Sequence, residues 1–594
     1  MGFYLSPLVD VKEIDLSTTI PAVATSIGMI TLRDTYKGPE AKKTLITDVN
    51  GLIDTFGWPT SVANCYQDIL SAAGYLRYGS ALYCTRAMPV SATFSGTRAP
   101  SGSLATFSAY TTANAYKLSG IASADPDDFG DLITTTGSTF LTMIANSRGA
   151  WGNNIRVATC DYATYAMIAS GGYSTWDNAA PIAIGDTTNG TYAVIKGIDS
   201  PLTDTQDFLI IVSVLDQGAT SWAVKEVWNV STNYNRVDDQ GKGKFVVHVI
   251  NGTGGDGASK YIRVSFNANL LNTPIVTSTQ VWQYFSGGQD TNDNYVTDTT
   301  TDGVIMSAID LYANAEEVDV NILIDSNKST TVKSYLISTC ESRKDCIAIL
   351  DCLDTSVKNN QNQEAESLRV YRRVTLNANS SYAALYGNWM EIYDKWNNKY
   401  RWVPPSGFVA GIFCNTDDVA DPWYAPAGLN RAILANIRRL AWNPNKGYRD
   451  TLYKNGINPI VSFAGQGKVI WGQKTLLDKS SAFNRINVRR LFIVLEKAIS
   501  TASKYFLFEP NDDLTRLLLV NMIDPFLRDV RSRRGIYDYM VVCDSSNNTP
   551  ERIDRNELWC DIYIKPTRAA EFIVLNFICT KTGASFTELA SMGA

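Results

Sequence analysis

The predicted secondary structure of this chain changes character twice, and these changes limit the folds that the chain can adopt. Up to about residue 95, and again from 300 to about 450, apolar residues follow both strand and helix spacing. In between, Ser, Thr, Ala and Gly dominate, and from 96 to 147 only Arg98 and Lys117 are basic. Short β-type runs such as DFLIIVSVL and SWAVKEVWNV follow, separated by turn residues. We therefore expect an α/β body interrupted by a long β-rich insertion.

Three segments predict particular elements. The strand-like runs VDVNILID and DCIAILD flank the helix-like KSTTVKSYLISTCESRK, and this order predicts two parallel strands joined by a helix. The apolar run KFVVHVI predicts a strand. From 485 the pattern is strongly helical, with one apolar face opposite Arg489, Arg490 and Lys497. The apolar face consists of Val488, Leu491, Phe492, Leu495 and Ile499.

With 594 residues the chain is too long for one hydrophobic core, so we expect several domains. The expected fold class is a multidomain α+β or α/β protein, with the β-rich segment inserted into the α/β body. The first 30 residues include the alternating run VDVKEID, which predicts a strand without a nearby hairpin partner. Such a strand must pair with something distant, for example another chain.

Composition excludes several classes of function. The net charge of −6 arises from 53 basic and 59 acidic residues spread widely along the chain, which argues against a general affinity for nucleic acid or membranes. No apolar run approaches the roughly 18–20 residues of a membrane span. The N-terminus lacks the basic and apolar regions of a signal peptide. We expect a soluble protein made in the cytoplasm.

Catalytic motifs are nearly missing from the sequence. His248 is the only histidine, so a Ser/His/Asp or Cys/His group would have to use it. The glycine-rich GTGGDG at 252–257 is followed by ASKYIRVSF, which alternates like a strand, so it predicts a hairpin turn and not a dinucleotide loop. The ten cysteines lack the short spacings of zinc sites and are expected to be buried free thiols in a reducing cytosol. We expect no enzyme, no cofactor and no metal site.

A cluster of basic residues near the C-terminus is the strongest candidate for a binding site. Four arginines against Asp529 give residues 528–534 a local charge of +3 in an acidic protein. Asp524 and Pro525 either begin a helix here or bend a longer helix that starts near Asp513. Gly535 is expected to end it. The helix dipole accounts for one or two cations at a helix C-terminus, at about 0.3–1 kcal/mol each, but not for four. A negatively charged partner surface is the sharper interpretation for Arg528, Arg531, Arg533 and Arg534.

Several segments together resemble the contractile tail sheath proteins of bacteriophages. The segments are SPLVDVKEIDLSTTIPAVATSIGMI at the N-terminus, SRGAWGNNIRV at 147–157, WVPPSGFVAGIFCNTDDVADPWYAPAGLNRAIL at 402–434, GINPIVSF at 456–463, VRRLFIVLEKAI at 488–499, and the two C-terminal stretches Asn487–Asp544 and Ile553–Ile578. Where the family usually has Gly, this chain has Leu8. Residues from about 160 to 290 carry no resemblance.

The resemblance implies an inner α/β body built from N- and C-terminal portions, with inserted β-rich outer domains and extended terminal arms. It also implies a division of the chain and a role for each part. The expected parts are an N-terminal inter-subunit arm (1–30), the first part of the α/β body (31–95), inserted β-rich outer domains (96–295), a central non-catalytic domain likened to subtilisin (296–480), a C-terminal tube-facing domain (481–568) and a C-terminal strand and arm (569–594).

The implied function is that of a structural subunit in the virion tail. Such subunits stack as hexameric rings around a tail tube and contract to drive it through the host envelope for genome delivery. Implied partners are other copies of the chain, the tube protein, and the baseplate and tail terminator proteins, without direct nucleic-acid binding or membrane insertion. The arginine cluster would bind the tube. The terminal arms would add strands to neighbouring subunits through Val9, Val11, Ile14, Phe572, Val574 and Phe586.

Two other interpretations remain open from the residues alone. A degenerate hydrolase would require His248 beside a nucleophile and an aspartate. A capsid- or adhesin-type virion protein would fit the β-rich insertion but not the terminal arms or the arginine cluster. Within the sheath family, a phage-derived injection device is a further alternative to a virion.

Overall fold

A computed structural model describes most of the chain. The described residues are 26–33, 35–60, 65–88, 92, 94–100, 139–169, 202–252, 259–267, 270–274, 282–288 and 299–574.

The described residues form strands and helices of ordinary length. The strands are β1 (Ile27–Arg33), β2 (Thr44–Ile46), β3 (Ala81–Ala87), β4 (Gly96–Pro100), β5 (Thr139–Ala145), β6 (Ile155–Asp161), β7 (Asp207–Val214), β8 (Ala223–Ser231), β9 (Ile262–Phe266), β10 (Gln283–Tyr284), β11 (Ile322–Ile324), β12 (Ile347–Asp351), β13 (Ala383–Tyr386), β14 (Met390–Asp394), β15 (Lys399–Val403), β16 (Ile433–Leu434), β17 (Ile437–Leu440), β18 (Ile457–Asn458), β19 (Ile460–Phe463), β20 (Gly467–Ile470), β21 (Ile536–Val542) and β22 (Asp561–Pro566). The helices are α1 (Val49–Phe56), α2 (Tyr66–Tyr75), α3 (Tyr162–Ala169), α4 (Val246–Asn251), α5 (Thr299–Asp310), α6 (Thr330–Arg343), α7 (Glu364–Val370), α8 (Ser406–Val419), α9 (Lys446–Lys454), α10 (Ile486–Ser503), α11 (Asp513–Ser532) and α12 (Pro550–Asp554).

The chain divides into two compact units. The large unit runs over Ala22–Pro422 and Pro426–Ser500. The described part of the small unit comprises Trp423–Ala425 and residues 501–574.

The centre of the large unit is a seven-stranded sheet in the order β18-β13-β12-β11-β1-β3-β2. All neighbouring strands are parallel except β2, which pairs antiparallel with β3. The predicted parallel pair is confirmed: β11 and β12 are joined by α6 and pair Leu323 with Ala348. In chain order the parallel strands follow the flavodoxin-like arrangement, whose switch point lies between β1 and β11.

Apolar clusters cover both faces of this sheet, because successive side chains of a strand point to opposite faces. Ile322 and Ile324 of β11 pack in one cluster with residues of α2 and α8, while Leu323 packs in the other with residues of α5 and α6. Near-continuous apolar strands are typical of a parallel sheet buried on both sides.

The chain between β3 and α5 forms two further antiparallel sheets, β4-β5-β9 and β10-β6-β7-β8. The predicted strands at DFLIIVSVL and SWAVKEVWNV are present as β7 and β8. Glu40 ties this region to the central body, because its carboxylate accepts hydrogen bonds from the Arg148 backbone at 2.6 Å and side chain at 2.7 Å and faces Arg86.

The prediction of a strand at KFVVHVI is wrong, since these residues form helix α4. A short apolar run cannot be assigned to strand or helix by periodicity alone. Gly252 supplies the helix signal: it lies in the left-handed region, with φ 86°, and its backbone N–H donates to the carbonyl of His248 at 3.1 Å. Of GTGGDG itself, only Gly252 lies within the described residues.

Helix α10 corrects a second expectation. Val488, Leu491 and Leu495 are buried as predicted, but Arg489 and Arg490 are only 7% and 5% exposed. Arg490 pairs with Asp417 at 2.6 Å. Arg489 donates to Ser381 at 2.7 Å and stacks on Tyr382 and Phe483. Both guanidinium groups therefore hold this helix against other elements of the large unit.

Candidate functional site

The arginine cluster lies at the C-terminal end of one continuous helix of the small unit. Helix α11 begins after Asp512, whose side chain accepts a hydrogen bond from the backbone of Thr515 at 2.8 Å. Pro525 lies within the helix. Of the two arrangements open from sequence, the longer helix starting near Asp513 is therefore the one present.

The end of α11 differs from the expected glycine cap. Arg534, not Gly535, adopts the left-handed conformation, with φ 64°. The backbone N–H of Gly535 donates to the Val530 carbonyl at 2.8 Å. The backbone N–H of Arg534 donates to the Arg531 carbonyl at 3.1 Å. These bonds form a Schellman motif in which an arginine occupies the position usually taken by glycine. A bulky residue there is strained.

Three of the four arginines have acidic neighbours within the small unit. Arg528 pairs with Asp524, Arg531 with Asp538 at 3.8 Å, and Arg533 with Asp529 at 3.6 Å. Arg533 also lies over the ring of Trp423, with the guanidinium carbon 5.3 Å from the ring centroid.

When these acidic neighbours are included, the local net charge is lower than the +3 counted over residues 528–534. Residues 524–538 contain four arginines and three aspartates, which leaves +1 instead of +3. The charge on Arg528 is itself favoured, since hydrogen bonding to Tyr539 and the nearby Asp524 carboxylate raise the pKa of Arg528.

Arg534 differs from the other three arginines. Its side chain is exposed, and within the described part of the chain it makes no ion pair or side-chain hydrogen bond. It is therefore the cation of this cluster that is most available to a partner.

A second feature of the small unit is a two-stranded sheet. Strands β21 and β22 pair antiparallel from Asp538↔Lys565 to Val542↔Asp561. Tyr537, Met540 and Tyr563 are exposed on it by 62%, 54% and 56%. An isolated two-stranded sheet is marginally stable. No third described strand pairs with β21 or β22, so both outer edges can accept a further strand as far as the described residues show.

The chain after β22 carries exposed apolar side chains. Phe572, Ile573 and Val574 are 84%, 78% and 81% exposed and lie outside any strand or helix. An exposed apolar run of this kind is typical of an interaction segment. Val9, Val11, Ile14 and Phe586, the other predicted arm residues, lie outside the residues that the structure describes.

Within the described residues, His248 packs among aromatic rings. Its ring centroid lies 5.1 Å from those of both Phe245 and Tyr234, and no described nucleophile or carboxylate forms a hydrogen bond or an ion pair with it. This geometry does not meet the requirement set for a hydrolase.

Sequence inspection missed a cluster of buried charges at the switch point of the central sheet. Asp68 accepts from Arg33 and Lys328, each at 2.8 Å, and Asp325 faces Lys333 at 3.4 Å. Asp351 accepts from the Ser406 hydroxyl at 2.6 Å. The three lysine and arginine residues balance the three aspartates.

This cluster fills the crevice where doubly wound sheets usually bind ligands. Burial, followed by the Asp325 charge, raises the pKa of Asp351 to about 7. The available sequence signal was the position of Asp325 and Asp351, each directly after an apolar strand. The cluster is structural because every carboxylate in it has a donor from the same chain.

The described residues offer neither a metal site nor a membrane-spanning helix. They contain no group of three or more His, Cys, Asp or Glu side chains placed to hold a metal ion. No helix among them combines the length and apolar character needed to cross a membrane.

Comparison with known proteins identifies the family. Residues 303–476 match the phage tail sheath protein central domain, and 478–580 match the phage tail sheath C-terminal domain. The tail sheath protein of Vibrio phage KVP40 is 34% identical over 78% of this chain and 68% of its own length. That of Enterobacteria phage T4 is 38% identical over 52% of this chain and 48% of its own length.

A crystal structure of a sheath tail protein from Listeria innocua shares the fold. It has a TM-score of 0.51 over 93% of this chain and 97% of that one, with 10% sequence identity. The two domain matches and the KVP40 relative support a tail sheath protein over a capsid- or adhesin-type protein. With the resemblance in its motifs confirmed by both domain matches and by these relatives, the chain belongs to the contractile tail sheath proteins of bacteriophages, which are structural components of the virion tail and not enzymes.

Proposed function

We propose that this chain polymerises as stacked hexameric rings around a tail tube, and that contraction of the assembly drives the tube through the host envelope. The observation that carries the proposal is the small unit's surface: a two-stranded sheet and an exposed apolar segment, neither of which has a strand partner among the described residues outside the sheet itself. A chain with such a surface gains stability when it associates with other chains.

Strand addition would link the subunits. The exposed segment around Phe572 and Val574, and the N-terminal run containing Val9, Val11 and Ile14, would pair with β21 or β22 of neighbouring copies. Backbone hydrogen bonds then connect chains while the linkers bend. Such links can persist while rigid bodies rotate and slide, which a contracting lattice requires.

The C-terminal end of α11 would face the tube. Arg528, Arg531, Arg533 and Arg534 are exposed at one helix end, and the first three already share their charge with Asp524, Asp538 and Asp529. Exposed ion pairs contribute only about 0–1 kcal/mol each. Contacts of this kind hold the tube when repeated over many subunits and are released readily when the sheath contracts.

Baseplate and tail terminator proteins would bind the two ends of the cylinder, where the strand edges and arms of the last ring have no neighbouring subunit. Energy for contraction would come from relaxation of the extended lattice to a better-packed one.

Electron microscopy of the purified chain at increasing concentration tests polymerisation. We expect long hollow cylinders with a striated helical surface. Monomers that polymerise only after tail tubes are added would also support the proposal. Monomers that persist in the presence of tubes would overturn it.

Tube binding is tested by charge reversal. The double variant Arg531→Glu/Arg534→Glu should lose co-sedimentation with tubes but still polymerise alone at high concentration. Arg555→Glu is the matched control, because Arg555 is also exposed in the small unit, 63% at its side chain, but lies outside the cluster. Equal loss in the control and in the double variant would contradict the assignment.

A further inference from the structure

Cys543 and Cys560 face each other across the two-stranded sheet of the small unit. The ladder between β21 and β22 ends at Val542↔Asp561, and the two cysteines are the next residues in that register. Each thiol is the largest influence on the pKa of the other, which places the two sulfur atoms close together. Residues opposite each other in an antiparallel pair have Cα atoms about 4.5–5.5 Å apart, which lies inside the range of about 4.4–6.8 Å found in disulfides.

Side-chain hydrogen bonds hold the two strands together at this point. The Asn548 amide donates to the Trp559 carbonyl at 2.8 Å and accepts from the Trp559 backbone N–H at 2.7 Å. Asn547 donates to the Val542 carbonyl at 2.8 Å. The backbone on both sides of the cysteine pair is therefore held in place by hydrogen bonds.

The environment of this pair differs from that of the other cysteines. Cys560 is partly exposed, whereas the other eight described cysteines are buried. Cys340 and Cys346 are also in contact, but both are fully buried, at 0% exposure. The hydrogen bond from Cys560, helped by the Arg516 guanidinium, lowers the pKa of Cys543, and this favours the reactive thiolate.

We propose that Cys543 and Cys560 are a site of reversible disulfide formation, closed when the chain meets a small-molecule disulfide such as oxidised glutathione. The Cys543 thiolate attacks one glutathione sulfur, breaks the glutathione S–S bond and releases one glutathione thiolate. The Cys560 sulfur, having lost its proton to solvent, then attacks Cys543 and releases the second glutathione. Two cysteine thiols are oxidised, and one glutathione disulfide is reduced to two thiols.

The bond would fix the sheet in its register. The closed ring runs from Cys543 to Cys560 and contains the Asn547–Asn548 turn and helix α12. Because two strands alone are marginally stable, the crosslink would hold β21 and β22 together before any further strand is added. A chain made in a reducing cytosol would acquire this bond after release into an oxidising medium. The inference does not depend on the proposed tube contacts.

Peptide mapping tests the bond directly. The folded full-length chain is incubated with oxidised glutathione, free thiols are alkylated, and the chain is digested with trypsin without reduction. We expect a linked pair of peptides, one ending at Arg552 and containing Cys543, the other beginning at Asn556 and containing Cys560. The pair should separate when dithiothreitol is added.

Two variants make the result specific. Cys560→Ser should lose the linked pair and carry glutathione on Cys543 instead. Cys340→Ser, which alters the buried pair, should form the 543–560 link to the same extent as the unmodified chain. The proposal would be overturned if both Cys543 and Cys560 were fully alkylated after oxidation, or if glutathione persisted on the unmodified chain. A link from Cys543 or Cys560 to any other cysteine would overturn it as well.

Discussion

Arg534 combines two properties that a purely structural residue would not need. Its backbone has φ 64°, a conformation that favours glycine, and its charge has no partner among the described residues. Strained residues are often retained where the side chain has a function. The neighbouring Gly535 would cap the helix more easily one position earlier, yet the chain places arginine there.

Replacing Arg534 by glycine should therefore stabilise the chain while weakening tube binding. Glycine removes the steric strain but increases the entropy of the unfolded chain, so we expect a net gain of about 0.5–1 kcal/mol in the free energy of unfolding. Urea unfolding measures the gain. Arg531→Gly is the control: Arg531 lies within the helix, and glycine there should cost about 1 kcal/mol. Equal destabilisation by both variants would contradict the strain argument.

The buried Asp351 predicts a pH dependence of stability. Its pKa of about 7 in the folded chain lies above the roughly 3.9 of an unfolded aspartate, so the folded state binds more protons between these values. Its contribution is complete below about pH 4 and is lost as the pH rises through about 7. Asp351→Asn should reduce the loss of stability between about pH 5 and about pH 8, by up to about 3 kcal/mol.

Urea unfolding at the two pH values measures this effect. Asp239→Asn, which alters an exposed aspartate of the large unit, should leave the pH dependence as it is in the unmodified chain. An unchanged dependence in Asp351→Asn would mean that other groups control it.

At the scale of elements, local patterns predicted those helices and strands whose partners lie nearby. The sequence pattern of two apolar runs around a polar helical run is enough to predict β11, α6 and β12. The burial of Arg489 and Arg490 does not, because their partners Ser381 and Asp417 lie 108 and 73 residues away in the chain.

The same reason limits the prediction of the binding site. The four arginines and their helix were apparent from the sequence, but their net charge was overestimated. Asp538 lies on the next element, β21, and only the fold brings it to Arg531. The charge was counted over residues 528–534, and Asp524 lies one helical turn before this segment. Spatial neighbours of this kind require the structure.

The C-terminal segment predicts separate effects on folding and assembly. Phe572→Asp/Val574→Asp should change the stability of the monomer by no more than about 0.5 kcal/mol, because both side chains are exposed. The same variant should not form cylinders, since charges would replace the apolar residues of the added strand. Thermal unfolding and electron microscopy provide the two readouts.

Ala569→Asp, at an exposed residue before the apolar run, is the matched control and should still assemble. Assembly of the double variant would show that these residues do not link subunits.

At the scale of the whole molecule, the proposed function separates two kinds of contact. Strand addition uses backbone hydrogen bonds and apolar side chains, whereas tube binding uses exposed charges. Removal of residues 1–20 should therefore abolish polymerisation and preserve the fold, as judged by microscopy and circular dichroism. A chain that loses its fold with these residues would contradict the assignment of an arm.

Ionic strength distinguishes the same two contacts without any substitution. Raising the salt concentration from about 0.1 M to about 1 M shortens the screening length from about 10 Å to about 3 Å. The exposed arginines should then release the tube, while cylinders held by added strands persist, because apolar burial does not weaken in salt. Sedimentation of sheath mixed with tubes across this range should show tubes leaving the pellet before sheath does. If cylinders dissolve first, charge and not strand addition links the subunits, and the arginine cluster would belong to the contacts between copies.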